Sequence, residues 1–285
     1  MPLAPTNLAL LFLIIGNLLA AISDVAVKML DDGASVFQYM FIRQLISVLV
    51  ILPLFLRLQP TERRLKGASI NLLRAHLILV GSGCMMVAIT HLPLATANAV
   101  FYAAPLLMLP LSLWVLNEKP ATGKVIGTLV GFIGVLLVLR PSQFHWAAIF
   151  ALGTAITLAL FNVLVRKLPG NQPVSATLFW TSLFSLPVSG IFAWFHWQPL
   201  SMTSLVWIVL SAACILSYNG FAVAAYKKAE TSQIALAEYS GLLFVTLFGI
   251  WWFAEIPDWL TAIGILLIVL PMMPIKNVKK PHSPQ

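Results

Sequence analysis

Apolar residues run along this chain in blocks of about twenty, separated by short polar breaks. A helix needs roughly 20 mostly apolar residues to cross a bilayer. That template predicts ten spans, near 7–28, 36–56, 73–91, 93–116, 122–140, 145–166, 174–195, 203–226, 231–254 and 257–275. The longest break, 57–72, holds Pro60, Glu62, Arg63, Arg64 and Lys66, and none is long enough for a separate soluble domain. After Ile275 the chain turns polar, and a disordered tail is expected there. The first block resembles a signal peptide with a weak cleavage site at Ala20 and Ala21. Residues 1–6 carry no Lys or Arg, however, and the block is long enough to span, so it reads as a retained helix.

Composition agrees with this pattern. Of 285 residues 60% are hydrophobic and 9% charged, whereas soluble domains carry about 25% charged residues. Too little polar surface remains to cover a water-soluble globule, and the shortage extends along the whole chain. The net charge of +8 sits between the apolar blocks, so it speaks for membrane orientation and not for nucleic acid. With the N-terminus in the cytoplasm, fourteen bases fall on inner segments: Arg57, Arg63, Arg64, Lys66, Arg74, Lys119, Lys124, Arg166, Lys167, Lys227, Lys228, Lys276, Lys279 and Lys280. Two, Lys28 and Arg140, fall outside. This asymmetry predicts an inner-membrane protein with both termini cytoplasmic. Cys84 and Cys214 lie in apolar blocks and read as small buried hydrophobes.

The two halves repeat each other. At an offset of 137, Tyr102 meets Tyr239, Trp114 meets Trp251, Glu118 meets Glu255, Pro120 meets Pro257 and Gly127 meets Gly264. Nearer the start of each half the offset is 138, where Asp24 meets Asn162 and Lys28 meets Arg166. Each half then holds five spans, and an odd number turns the second half upside down. The fold expected is an all-α membrane protein of ten transmembrane helices, two inverted five-helix repeats (1–142 and 143–285) around a central cavity. Inverted repeats are common in secondary transporters, with the substrate site near mid-membrane between the halves.

The stretch 95–105 with Asn98, Tyr102 and Pro105, then Trp114, Glu118, Pro120 and Gly127 to Gly134, resembles the fourth and fifth helices of EamA-type transporters of the drug/metabolite transporter superfamily. Residues 232–241 with Trp251, Glu255, Pro257 and Gly264 look like the same signature in the second half, and Arg43 is similar to the family's second-helix arginine. The resemblance implies a ten-helix carrier of amino acids, nucleotide-like metabolites, vitamins or drugs, often outward. The second half has Leu242 where the first has Pro105, so the ninth span is expected to lack the fourth span's bend.

Ionisable groups within spans are the sharpest signals, because a charge at the bilayer centre costs about 3 kcal/mol or more. Asp24, Arg43 and Glu238 qualify. Asp24 and Arg43 can form a structural ion pair, or they can line the cavity and be lent to a substrate. Glu238 has no obvious basic partner at its depth and is the expected proton-coupling carboxyl. Asn98, Tyr102, Asn162, Trp180, Asn219 and Tyr239 complete the candidate binding set, with Trp180 at the position equivalent to Arg43. Trp146, Trp194, Trp197, Trp207, Trp252 and Trp259 fall near span ends as interfacial anchors. No metal spacing, cofactor motif, hydrolase motif or nucleotide loop is present. The expectation is therefore a carrier and not an enzyme: a monomer that takes a small zwitterionic metabolite and most readily exports it. The alternatives are import of a vitamin or nucleotide-like compound and, more remotely, an intramembrane enzyme.

Overall fold

The computed structural model describes residues 5–30, 33–116, 122–139, 145–165, 167–169, 172–226 and 240–270, and among these every regular element is helical. Six helices are long and apolar enough to cross a membrane. They are α1 (Pro5–Lys28), α2 (Val36–Leu56), α4 (Ala68–His91), α8 (Ala147–Val165), α9 (Val174–Phe195) and α10 (Met202–Tyr226). Between α2 and α4 lies the short α3 (Pro60–Arg63). The remaining helices are shorter: α5 (Leu94–Phe101), α6 (Ala104–Leu116), α7 (Thr122–Leu139), α11 (Ser240–Phe253) and α12 (Trp259–Val269). The chain is thus a multi-pass membrane protein.

Local chemistry accounts for several boundaries. Ser35 and Gln38 form a capping box that starts α2. Asp258 accepts from the Thr261 N–H at 3.2 Å and starts α12. Gly67 takes φ +64 just before α4, a left-handed conformation that costs glycine nothing. The Asn71 amide donates to the Lys66 and Gly67 carbonyls at 2.8 and 3.2 Å. These two features begin α4 at Ala68, where hydropathy alone predicts a start near 73. Arg74, counted above with the loop bases, consequently stands in the second turn of α4 and is buried.

The fourth apolar block is not one helix. It divides at Tyr102 and Ala103 into α5 and α6. Pro105 follows at once; it has no N–H to give a preceding turn and sits in the first turn of α6, where that N–H is not needed.

The long helices pair across the bundle. The most extensive contacts join α1 to α10, α4 to α8, α2 to α9 and α7 to α12. Next come α1 with α11, α6 with α8, α4 with α9 and α2 with α10. The main core contains Val27, Tyr39, Ile89, Leu94, Val100, Ile208 and Ile268. A second cluster joins α2 to α9 through Ile51, Phe55 and Phe179. Trp194, Trp197, Trp252 and Trp259 are exposed, as membrane-surface anchors should be, and Trp146 is half exposed. Trp207 instead packs against the core.

Candidate functional site

Asn17, Asp24 and Lys28 are seven and four residues apart on α1, a spacing that puts all three on one face of a helix. Each meets a different part of the bundle. The Asn17 amide donates to Ser240 Oγ at 3.1 Å, at the start of α11. Tyr102, at the break between α5 and α6, rests its hydroxyl against Gly241, where a Cβ would collide with it. The break thus places the Tyr102 hydroxyl beside Gly241, next to Ser240, the partner of Asn17.

One level along α1, the Asn98 side chain of α5 and the Arg43 charge of α2 both act on the Asp24 carboxyl. Asn98 also donates to the Leu94 carbonyl at 3.2 Å. Asp24 is only partly exposed.

Arg43 is held by neutral hydroxyls. Its Nη1 donates to Tyr39 Oη and to Ser82 Oγ, both at 3.3 Å. Tyr39 Oη is 3.2 Å from Ser211 Oγ, and Ser211 Oγ is 2.8 Å from Ser23 Oγ. Ser23 also donates to the Ser211 carbonyl at 3.1 Å. The chain Arg43–Tyr39–Ser211–Ser23 thus links α2, α10 and α1 beside Asp24. Among the described residues Arg43 makes no ion pair with Asp24.

The one ion pair among the described residues joins Lys28 to Glu255. Lys28 Nζ also donates to the Leu92 carbonyl at 2.8 Å and lies 5.1 Å over the Phe253 ring. The other carboxylate oxygen, Glu255 Oε2, accepts from the Leu94 N–H at 2.7 Å.

The remaining candidates stand apart. Trp180 packs with Phe55, Phe179 and Phe184, and its indole donates to the Arg63 carbonyl at 3.0 Å. It serves the α2–α9 wall there and does not join Asp24 and Arg43. Asn162 and Asn219 are half-buried on α8 and α10. Glu238 and Tyr239 lie outside the described residues. Hydroxyls were the part of the site that the sequence concealed. Tyr39, Ser82, Ser211 and Ser23 carry no charge, and serines are frequent in apolar helices. Arg74 is a further surprise: its guanidinium stacks 4.0 Å over Phe161 while Nη1 has no partner.

A carboxylate and a guanidinium that act on each other without forming an ion pair, with Arg43 held by neutral hydroxyls, suit a ligand that carries both charges. The sequence places the chain more broadly. The model of the EamA-like transporter family matches it twice, over residues 7–140 and 145–273. The chain belongs to the EamA-like transporter family. Within the drug/metabolite transporters, this EamA-like chain is 25% identical to the S-adenosylmethionine uptake transporter of Rickettsia prowazekii, over 88% of this chain and 86% of that one. It is 24% identical to the pseudopaline exporter CntI of Pseudomonas aeruginosa strain UCBPP-PA14, covering 95% and 96%. It is 28% identical to the riboflavin transporter of Vibrio cholerae, covering 79% and 77%. In fold it is similar to a protein of known crystal structure at TM-score 0.63 and 18% identity, covering 93% of this chain and 94% of that chain.

Proposed function

We propose that this EamA-like protein is a secondary transporter of a small zwitterionic metabolite, an amino acid or a compound with an amino-acid head, working by alternating access and exporting in the cell. The observation that carries the reading is the unpaired juxtaposition of Asp24 with Arg43. Arg43 supplies a guanidinium for a carboxylate and Asp24 a carboxylate for an amine. Tyr102 and its polar neighbours supply surface for the rest of the molecule. S-adenosylmethionine, taken up by the Rickettsia relatives, combines an amino-acid head with a planar base, and that chemistry fits the same set.

The ten-span, inverted-repeat arrangement, with repeats 1–142 and 143–285 and both termini cytoplasmic in the inner membrane, belongs to this proposal. The helix pairing supports it. Exchanging the first half's spans for their counterparts turns the α1–α10 contact into α4–α8, α1–α11 into α6–α8, and α2–α10 into α4–α9. The α2–α9 and α7–α12 contacts turn into themselves. A reporter active only in the cytoplasm, fused after Gln285, checks the orientation. Glu238 remains the proposed proton-coupling carboxyl. Glu238→Gln should exchange substrate but ignore an imposed pH gradient, and normal pH dependence would remove it from that role.

Counterflow into proteoliposomes tests the substrate. Purified protein is challenged with labelled amino acids, S-adenosylmethionine and riboflavin. The expected outcome is counterflow of one or more compounds bearing both carboxylate and amine, lost in Arg43→Ala and in Asp24→Asn. Counterflow of riboflavin alone, unaffected by both variants, would reject the zwitterion and favour the vitamin-importer reading that the Vibrio relative suggests.

A further inference from the structure

We propose that Lys28 and Glu255 are a latch that closes one mouth of the transport cavity and that its state is coupled to Asp24. This rests on the transporter reading above. In the proposed topology the mouth is the periplasmic one.

The pair joins three chain segments that only side chains hold together here. Lys28 ends α1. Leu92 and Leu94 flank the turn between α4 and α5. Glu255 lies in the connection from α11 to α12. The Lys28 ammonium binds the Leu92 carbonyl and the Glu255 carboxylate, and that carboxylate binds the Leu94 N–H. All three segments are thereby drawn over the end of the α1 stripe. Both side chains are largely removed from solvent, with relative exposures of 12% and 20%.

Two features suit a contact made to open. A desolvated ion pair recovers in attraction about what it loses in hydration. It therefore adds little to the fold as a whole, and it separates into water at small net cost when a mouth widens. Ala254, just before Glu255, is held at φ 53, the left-handed region that alanine disfavours. The Glu255 N–H bonds back to the Gly249 carbonyl at 2.9 Å. Release of Glu255 would let that backbone relax, so the connection has a second conformation available to it.

A continuous path leads from latch to site. Glu255 holds the first N–H of α5 at Leu94. The Leu94 carbonyl accepts from the Asn98 amide, and the Asn98 side chain acts electrostatically on Asp24. Along α1, Lys28 stands one turn beyond Asp24 on the same face. A ligand amine drawn to Asp24 acts on both arms, through Asn98 on α5 and through α1 itself. Two discrete arrangements biased from both ends are what coupling between sites requires.

The labelling test needs no substrate, so its failure is separable from failure of the transporter reading. A single reporter cysteine, Ser82→Cys, is placed beside Arg43 in a Cys84→Ala, Cys214→Ala background. Its labelling by a membrane-impermeant maleimide is followed from the mouth at which Lys28 lies. Glu255→Gln, which can still accept from Leu94, and Lys28→Met should each speed labelling roughly five- to tenfold. The charge exchange Lys28→Glu with Glu255→Lys should return the rate toward that of the parent. Unchanged labelling in both single variants, with each eluting as a monodisperse species, would overturn the latch. In parallel, Lys28→Cys with Glu255→Cys is oxidised to a disulfide in a chain retaining Ser82. Transport of whichever compound shows counterflow should stop on oxidation and resume on reduction. Full transport by the cross-linked protein would equally overturn the proposal.

Discussion

Arg43 is useful to a ligand only if something other than Asp24 fixes it in place, and here two hydroxyls do so. Ser82 spends its own proton on the Ile78 carbonyl at 2.6 Å and so offers Arg43 a lone pair. Tyr39 is oriented in turn by Ser211, and Ser211 by Ser23. Ser211 is therefore a positioning residue at one remove from the ligand. Ser211→Ala leaves two buried hydroxyls each short of a partner, at a cost of about 1 kcal/mol in stability. The expected transport effect is a several-fold rise in KM with little change in maximal counterflow rate, because the guanidinium remains but is less well aimed. A fall in maximal rate at constant KM would contradict a positioning role. Arg43→Lys should be worse than Ser211→Ala, since an ammonium cannot reproduce the planar fork. Asp24, Arg43 and Asn98 were legible in the sequence because charges and amides are rare in apolar spans. Ser211 and Ser82 were not, because a serine in a helix can satisfy itself on the preceding turn and gives no sign of a wider role. Trp180 shows the opposite failure. The repeat makes it the counterpart of Arg43, and in halves of opposite orientation that puts it toward the other membrane face, where its indole N–H finds the Arg63 carbonyl and its ring finds Phe55 and Phe179. Equivalent positions in an inverted repeat share neither a depth nor, of necessity, a role.

At the scale of elements, hydropathy alone fixed the long helices to within a few residues, except where glycine and asparagine move the start of α4. It missed the division of the fourth span at Tyr102 and Ala103, which a measure of oiliness cannot see, although Pro105 marked a bend there. A small-residue face on α7 was also legible as Gly123, Gly127, Gly131 and Gly134. Its partner was not, since a glycine face says how closely a neighbour can come and not which neighbour comes. The partner is α12. A Cβ on Gly264 would stand 2.8 Å from the Gly134 carbonyl oxygen and 2.6 Å from Val138 Cγ2. A Cβ on Gly134 would stand 2.6 Å from the Gly264 carbonyl oxygen. The oxygens belong to helix backbones and cannot swing away, so an added methyl must push the helices apart. Overpacking of this kind costs roughly 1–3 kcal/mol. Gly264→Ala should lower the Tm of the purified protein by several degrees. Gly220→Ala is the control, because no atom lies within 4 Å of the Cβ it would add, and it should leave the Tm unchanged or slightly higher. Equal effects of the two substitutions would mean that α7 and α12 are not in this close contact.

The whole molecule adds a constraint that neither residue nor element supplies. Lys28 corresponds to Arg166 at the offset of 138, and Glu255 to Glu118 at 137, each with its charge kept. Arg166 and Glu118 lie outside the described residues, so sequence correspondence alone carries the next step. In two repeats of opposite orientation, a pair on one side of the membrane has its counterpart on the other. If Lys28 with Glu255 closes the outer mouth, Arg166 with Glu118 is assigned to the inner one. A single cavity served by two mouths must then respond to the two glutamates in opposite senses. Weakening the outer pair with Glu255→Gln shifts the population toward outward-open molecules, and weakening the inner pair with Glu118→Gln shifts it toward inward-open ones. The Ser82→Cys labelling assay reads both from the outside. Glu255→Gln should raise the rate, Glu118→Gln should lower it below that of the parent, and the double variant should fall between them, because the two shifts act on one equilibrium. If both single variants raised the rate, both pairs would guard the same face, and the halves could not be inverted copies. If Glu118→Gln alone left the rate unchanged while Glu255→Gln raised it, the outer latch would stand without an inner counterpart. The repeat would then describe the scaffold and not the gating cycle.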